Sequence, residues 1–187
     1  MSNLAYVEVA NANTIYTTEL DFALDATTDK IGWVVTAPVA ITVDRIALCF
    51  DSKAGTPPTY AYSLYGITSA GVPDTTKLGA TNNATVTHAP TAISNNTFHE
   101  LVLAESASIS AGGKFAIVVE YSSGTISGAN MAQYRHSFGN LTTNYDYGIG
   151  YALTNTGSWT KQVGGTPVVL FGDGTNWYGM PFSAART

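Results

Sequence analysis

Charged side chains are scarce in this chain of 187 residues. They make up 11% of the composition, against about 25% in an ordinary soluble domain. Lysine and arginine form no cluster, and the formal net charge is -5. Because nucleic acids are bound by basic patches, we expect no nucleic-acid partner. Disorder is also disfavoured, since disordered chains combine high net charge with few aromatic residues.

Cysteine and long apolar runs are scarce as well. The single cysteine, Cys49, lies in the apolar run Ile-Ala-Leu-Cys-Phe at residues 46–50. It cannot form an internal disulfide, and a small buried hydrophobic residue fits that position. The first residues lack a basic segment followed by an apolar stretch, so we expect neither a secretory signal nor a membrane partner.

Helical periodicity is missing, and alternation of apolar and polar residues takes its place. In residues 114–121 every second side chain is large and apolar, with Gly-Gly directly before this segment and Ser-Ser-Gly after it. This pattern predicts a central strand of an antiparallel sheet. The apolar face of that strand consists of Phe115, Ile117, Val119 and Tyr121.

Further short alternating segments recur at the spacing that is typical of β-sandwiches. They predict an all-β protein, an antiparallel β-sandwich of the jelly-roll type. We expect residues 31–187 to form the sandwich and residues 1–30 to form an N-terminal arm or hairpin. The alternative is that residues 1–30 supply the first strands of the sandwich. Residues 69–76 have the composition of a turn, and residues 77–90 that of an edge strand or long loop.

Catalytic motifs are not found in the sequence. It contains no Gly-x-Ser-x-Gly elbow and no phosphate-binding loop, and its histidines, His88, His99 and His136, are far apart. Glu100 and Glu120 are the candidates for a carboxylate pair of the glycoside hydrolase kind. Their polar or small neighbours indicate solvent-facing strand positions instead. We predict that the protein is not an enzyme.

Four aspartates lie in loop-like surroundings that suit calcium, which prefers oxygen ligands. One of them, Asp173, has a separate structural explanation as the first residue of an Asp-Gly turn. Spacing alone does not bring these carboxylates together, so we assign no metal site and no cofactor. The four are Asp21, Asp25, Asp29 and Asp173.

Aromatic residues are concentrated in the last quarter of the chain. Flat aromatic rings stack on sugars, and exposed rings often mark contact surfaces. We expect Trp33 and Trp159 to lie in the core. The candidate exposed surface consists of Tyr145, Tyr147 and Trp177.

Four segments together resemble a jelly-roll domain of structural proteins from tailed bacteriophages. In that domain a strand, a Gly-x-Pro loop, a second strand and a Gly-x-Pro-Asp turn precede a strand that begins with Ala-Gly-Gly-Lys. Two later segments, at residues 158–160 and 167–172, resemble its closing strands, so the likeness covers about residues 31–178. The four segments are residues 42–50, 55–60, 69–79 and 109–120.

This resemblance implies a virion structural protein without catalytic residues, most directly a capsid decoration (cement) protein, or else a head-fibre or tail module. Such a protein would bind the major capsid protein on the outer surface of the virion after synthesis in the host cytoplasm. It would do so as a symmetric homo-oligomer, a trimer being one such symmetry. The contacts to the shell or to a neighbouring subunit are assigned to the arm residues Tyr6, Val7, Val9 and Tyr16.

A second function is kept open beside this one. The chain would then be a carbohydrate-binding module at a phage tail or fibre tip that recognises glycans of the host surface. Its binding residues would be Tyr145, Tyr147 and Trp177.

Overall fold

The computed structural model describes residues 19–92, 94, 97–138, 150–162 and 166–179, and every regular element within them is a β-strand. Antiparallel pairing joins the strands into two seven-stranded sheets, which pack face to face on a shared core. The prediction of an all-β antiparallel sandwich is confirmed. The strands are β1 (Glu19–Leu24), β2 (Lys30–Thr36), β3 (Ile41–Ala54), β4 (Thr59–Ile67), β5 (Pro73–Lys77), β6 (Thr85–His88), β7 (Thr97–Ile109), β8 (Lys114–Ser123), β9 (Met131–Phe138), β10 (Gly150–Asn155), β11 (Trp159–Lys161), β12 (Thr166–Pro167), β13 (Val169–Gly172) and β14 (Trp177–Gly179).

The first sheet is built on β3, a strand of 14 residues. One edge of β3 pairs with β7, and the other edge pairs with β13 and then with β9. β1 pairs with β9 and extends the sheet, β14 pairs with β13, and β12 pairs with β9. Ile46, Leu48 and Phe50 alternate along β3 and face the core, as predicted.

The second sheet has the order β11-β10-β2-β8-β4-β5, and β6 also pairs with β4. The predicted central strand, β8, is confirmed in that role because it pairs with β2 on one side and with β4 on the other. Phe115, Ile117 and Val119 lie in the core between the sheets. Ala116 and Val118 are equally buried although they point to the other face. The sequence pattern had indicated only one apolar face.

The first described strand of the chain, β1, belongs to the first sheet of the sandwich. Leu24, the last residue of β1, is fully buried in the core, and its carbonyl oxygen accepts a hydrogen bond from the Tyr60 hydroxyl. Within residues 1–30 the described part thus supplies a strand of the first sheet and the first residue of β2. The arm residues proposed as contacts lie outside the described residues. They are Tyr6, Val7, Val9 and Tyr16.

The edge of the second sheet differs in one detail from the sequence-based expectation. Residues 69–76 were expected to form a turn, but strand β5 begins at Pro73 and pairs with the end of β4. Proline is compatible with the first residue of an edge strand because no ladder partner needs its missing N–H group. The turn is therefore shorter and is closed by the hydrogen bond from Thr68 N–H to the carbonyl oxygen of Val72. The edge strand expected within residues 77–90 is present as β6.

Glu105 of β7 connects the first sheet to the loop between β5 and β6. Its carboxylate accepts hydrogen bonds from the backbone N–H groups of Thr81 and Asn83, at 2.7 and 3.0 Å, and from the Thr81 hydroxyl. The hydrogen bond from the Thr81 N–H group is the main reason why the pKa of Glu105 is lowered. The loop is thereby held against the outer edge of β7, where a long unpaired strand would otherwise be open to unwanted pairing.

Tyrosine hydroxyl groups cross the core between the two sheets. The hydroxyl oxygens of Tyr62 on β4 and Tyr134 on β9 lie 2.7 Å apart in a hydrogen bond. The Tyr60 hydroxyl donates to the carbonyl oxygen of Leu24 at 3.0 Å and accepts from the N–H group of Ala132 at 3.1 Å. Each of these three buried tyrosine hydroxyls therefore has a partner, as burial of polar groups requires.

We predict that Tyr60→Phe lowers the free energy of unfolding by about 1–3 kcal/mol, because it leaves a buried carbonyl oxygen and a buried N–H group without their partner. Equilibrium unfolding in urea measures the change. The matched control is Tyr121→Phe, since the Tyr121 hydroxyl also donates to a carbonyl oxygen, that of Gly124, but in an exposed position. Equal losses in the two variants would contradict the role assigned to Tyr60.

The same tyrosine leads to a prediction about alkaline pH. Burial raises the pKa of Tyr60 to about 12, whereas a tyrosine in an unfolded chain titrates near pH 10. A raised pKa in the folded state means that stability is complete below about pH 10 and is lost as the pH rises toward 12. Urea unfolding measured from pH 8 to 11.5 should therefore show a decline that is less steep in Tyr60→Phe than in the wild type. Identical slopes would contradict the assignment.

Candidate functional site

The outer face of the second sheet carries a second apolar cluster, separate from the core between the sheets. On β2, β8 and β10 the residues that alternate with the core residues are also buried. They form what we call the outer cluster, against which Ile67, Tyr151 and Trp159 pack. The buried members are Val34, Tyr65, Ala116, Val118 and Leu153.

Strand register brings these side chains together. Val34 on β2 lies opposite Ala116 on β8, which lies opposite Tyr65 on β4. On the other side of β2, Val34 lies opposite Tyr151 of β10. Because directly opposite side chains on one face of a sheet are close neighbours, an aromatic ring flanks the small apolar centre at each end of this row.

Trp159 projects from the edge strand β11 and covers Gly32 of β2. A methyl group at Gly32 would lie 3.3 Å from Cζ3 of the indole ring and 3.4 Å from its Cη2. The absence of a side chain at Gly32 therefore leaves room for the ring. The ring reaches Gly32 across β10, which lies between β11 and β2, and covers the glycine as aromatic residues do in other sheets. The other part of the indole is exposed, since the residue is only partly buried.

Tyr151 is held in place at both ends of its side chain. Its hydroxyl donates a hydrogen bond to the carbonyl oxygen of Gly71, in the turn between β4 and β5. The ammonium group of Lys161 lies 4.0 Å from the centre of its ring, which is a cation–π contact. Tyr151 thus ties the turn at Gly71 to the outer face and is part of the structural support of the cluster.

Besides Lys161, the charged residues beside the outer cluster include Lys30 and Glu120, which form an ion pair. They are opposite each other on β2 and β8, and the Lys30 Nζ lies 2.6 Å from the Glu120 Oε2. The other oxygen of Glu120 accepts a hydrogen bond from the Tyr65 hydroxyl at 3.0 Å. Burial, together with the negative charge of Glu120, raises the pKa of Tyr65. The ion pair is half-exposed, so its contribution to stability is small, on the order of 1 kcal/mol or less.

Trp159 was expected in the core, and this expectation is wrong. Trp33 is fully buried between the sheets as expected, but Trp159 lies on the outer face. The signal that the sequence offered was the spacing of Trp159 and Lys161 on one strand. Residues two apart share a face, and a lysine indicates a face that is open to water.

The predicted exposed aromatic surface is described only at Trp177. This residue, on β14, is partly buried, and a methyl group at Gly172 would lie 3.1 Å from the Cε3 of its ring. Trp177 thus covers a glycine on the first sheet as Trp159 does on the second. Tyr145 and Tyr147 lie outside the described residues.

The two glutamates considered as a catalytic pair are on different sheets. Glu100 on β7 accepts a hydrogen bond from the Arg45 guanidinium at 2.6 Å, and Glu120 on β8 is bound to Lys30. Each carboxylate therefore has a cationic partner of its own. The geometry gives them structural roles on separate faces of the sandwich.

Of the four aspartates considered for calcium, Asp21 lies on strand β1 and not in a loop, and two of the others have local partners. The Asp173 carboxylate accepts hydrogen bonds from the N–H groups of Thr175 and Asn176, as the turn interpretation predicted, and these bonds lower its pKa. Asp29 accepts a hydrogen bond from the N–H group of Ala26, and its pKa is raised by burial and by a hydrogen bond to Asp25. Among the described residues no group of three or more metal-ligating side chains is found.

Two histidines lie where the edges of the sheets approach each other. The ring of His99 on β7 packs edge-on against Phe50, and its Nε2 lies 2.7 Å from the Thr97 hydroxyl. His88 ends β6, and burial together with the charge of His99 lowers its pKa. The side chain of His136 lies outside the part of the chain that is described. The two described histidines fit polar roles at the sheet edges.

Comparison of the chain with protein-family models, with curated proteins and with solved structures finds no match. The likeness to phage structural proteins therefore depends on the sequence segments alone. The described residues also include no helix of the length and apolarity needed to cross a membrane.

We predict that Gly32→Val displaces the Trp159 ring from the sheet, because a methyl group at this position already meets the ring at 3.3 Å. The indole N–H signal of Trp159 should move in a ¹⁵N–¹H NMR spectrum, and unfolding should become easier by about 1 kcal/mol. The control is Gly128→Ala, since no atom lies within 4 Å of that methyl position. An unmoved indole signal in Gly32→Val would contradict the contact.

Proposed function

We propose that this protein is a non-enzymatic structural protein of a tailed-phage virion, specifically a decoration protein that binds and stabilises the assembled head. The observation that carries the proposal is the order of strands in the two sheets. The first sheet contains the path β1-β9-β3-β7 and the second the path β2-β8-β4-β6. From β1 to β4 and from β7 to β10, consecutive strands alternate between the sheets, and this alternation supports the jelly-roll type.

The segments that resemble the phage domain fall on neighbouring elements of the sandwich. Residues 42–50 lie in β3, and residues 109–120 include the end of β7 and most of β8. β3 pairs with β7 in one sheet, and β4 pairs with β8 in the other. The shared pattern thus covers the centres of both sheets, which supports a likeness of fold and not only of composition.

The surface chemistry also supports assembly into a large particle. Several of the few charges are neutralised within the molecule, as Arg45 is by Asp44 and Glu100, and Arg135 is by Asp51. The exposed positions of β7 carry one charged side chain, Glu100, which is paired with Arg45, and four uncharged ones, Val102, Ala104, Ser106 and Ser108. An uncharged surface of this kind can be covered by neighbouring subunits without a large cost of removing charge from water.

Residues 1–18 precede β1 and are proposed as the arm that contacts the capsid or a neighbouring subunit. The chain enters the sandwich at β1, whose pairing among the described strands is with β9. Eighteen residues could reach at most about 60 Å if extended. The contacts would be made by Tyr6, Val7, Val9 and Tyr16, and the partners would be the major capsid protein and further copies of this chain in a symmetric oligomer.

The proposal predicts that purified particles contain this protein in a large symmetric ratio to the major capsid protein. A ratio near one copy per capsid subunit, or another simple fraction set by the symmetry of the shell, is the expected result. Quantitative mass spectrometry of purified particles measures it. A few copies per particle would move the protein to a tail or vertex, and complete absence would overturn the virion role.

A truncation separates the arm from the sandwich in the same experiment. Deletion of residues 2–18 leaves β1 and Leu24 in place, so the sandwich should keep its unfolding midpoint. Undecorated capsids mixed with the truncated protein should bind much less of it than of the full chain. Equal binding by both forms would contradict the arm assignment while leaving the decorating role intact.

A further inference from the structure

A row of partly exposed side chains crosses the outer face of the second sheet beside the outer cluster. Trp159 on β11 lies opposite Asn155 on β10, Asn155 lies opposite Lys30 on β2, and Lys30 lies opposite Glu120 on β8. We call these four residues the outer row. Neighbouring strands are about 4.8 Å apart, so the row extends for about 14 Å.

Each member of the outer row keeps a group that can bind a ligand, although the two oxygens of Glu120 already accept one hydrogen bond each, from Lys30 and from Tyr65, and offer only their second lone pairs. Part of the indole of Trp159 is open to solvent. Asn155 uses its Oδ1 to accept a hydrogen bond from the N–H group of Gly157. This bond does not involve the side-chain NH₂ group, which can donate to a ligand. The ammonium group of Lys30 has three N–H donors and uses one for Glu120. Hydrogen-bond donors and acceptors thus lie beside the aromatic ring, whose far edge reaches across β10 to Gly32 of β2.

The apolar side chains beside the row are not accessible to a protein partner. Val34 and Ala116 are fully buried, and Val118 and Leu153 are each 1% exposed. A protein interface normally depends on apolar anchors that are buried at its centre, and these four aliphatic side chains are already covered. What the face offers instead is one partly open ring and a line of polar groups.

We propose that the outer row binds a short uncharged oligosaccharide of about two or three sugar residues, with one pyranose ring stacked on Trp159. The apolar C–H face of a pyranose is complementary to the electron-rich face of an indole. Its hydroxyl groups both donate and accept hydrogen bonds, as Asn155, Lys30 and Glu120 require. An uncharged ligand fits because Lys30 and Glu120 neutralise each other. This activity is separate from capsid decoration and does not depend on it.

The first experiment is a screen of the full-length protein on an array of uncharged oligosaccharides. The array carries chains of two to six residues built from glucose, galactose, mannose, rhamnose and N-acetylated hexosamines. Binding of at least one of them is the expected result. Absence of binding to every member at millimolar effective concentration would overturn the proposal.

The second experiment locates the site with the oligosaccharide that binds best on the array. The chain has three tryptophans, and replacing each by phenylalanine in turn assigns the three indole N–H signals in a ¹⁵N–¹H spectrum. Titration should shift the signal of Trp159 and leave those of the buried Trp33 and of Trp177 in place. A shift confined to Trp177 would overturn the proposed location and favour the first sheet.

Substitutions then test the role of individual residues. Trp159→Ala should weaken binding at least tenfold. Trp177→Ala tests the alternative aromatic surface, because it also removes a tryptophan that covers a glycine but lies on the other sheet. It should bind as the wild type does, so that loss of binding in both variants, with both folded, would contradict the site.

Asn155→Asp covers the case in which Trp159→Ala does not fold. Aspartate keeps the oxygen that accepts the Gly157 N–H group and removes the NH₂ donor. Binding should fall several-fold, while the unfolding midpoint stays within about one degree of the wild type. Unchanged affinity in Asn155→Asp together with unchanged affinity in Trp159→Phe would overturn the role of the row.

Discussion

The hydrogen bond between the hydroxyls of Tyr62 and Tyr134 joins the two sheets in the middle of an apolar core. A buried hydroxyl group without a partner costs about 1–3 kcal/mol. A slip of β4 against β9 would separate this pair, and it would also separate the Tyr60 hydroxyl from its two backbone partners. We infer that the hydroxyl groups of these tyrosines fix the position of one sheet relative to the other. Their rings stabilise the fold separately, through the apolar area that they bury.

The way in which the two sheets pack on each other determines which residues of each strand face the core and which face the outer side of the sheet. On β8 the residues that alternate with Phe115, Ile117 and Val119 must lie on the opposite face, where the small side chain of Ala116 and that of Val118 leave room for neighbouring rings. Trp159 and Tyr151 pack there, and Gly32 accommodates the indole. The second sheet is therefore apolar on both faces, and the polar outer row is what remains exposed at the margin of the cluster.

The two proposed activities use different parts of the sandwich. The arm precedes β1, which belongs to the first sheet, whereas the outer row lies on the second. Because the sheets are packed face to face, their outer faces point in opposite directions. A protein attached to a particle through its arm and first sheet would keep the outer row of the second sheet accessible to soluble or surface-bound sugars.

The sequence by itself determined the strands and the main core. Alternation along β3, β4 and β8, together with glycine and proline between them, was sufficient because every second residue of a strand must share a face. Cys49 and Trp33 were placed correctly for the same reason. Only the tertiary structure decided that the Trp159 ring covers Gly32, that Pro73 begins a strand, and that Asn155, Lys30 and Glu120 form one row. Those facts depend on which strands become neighbours and in what register. Pairing between residues as distant as Lys30 and Glu120 is set by packing of the whole domain and leaves no local pattern in the chain.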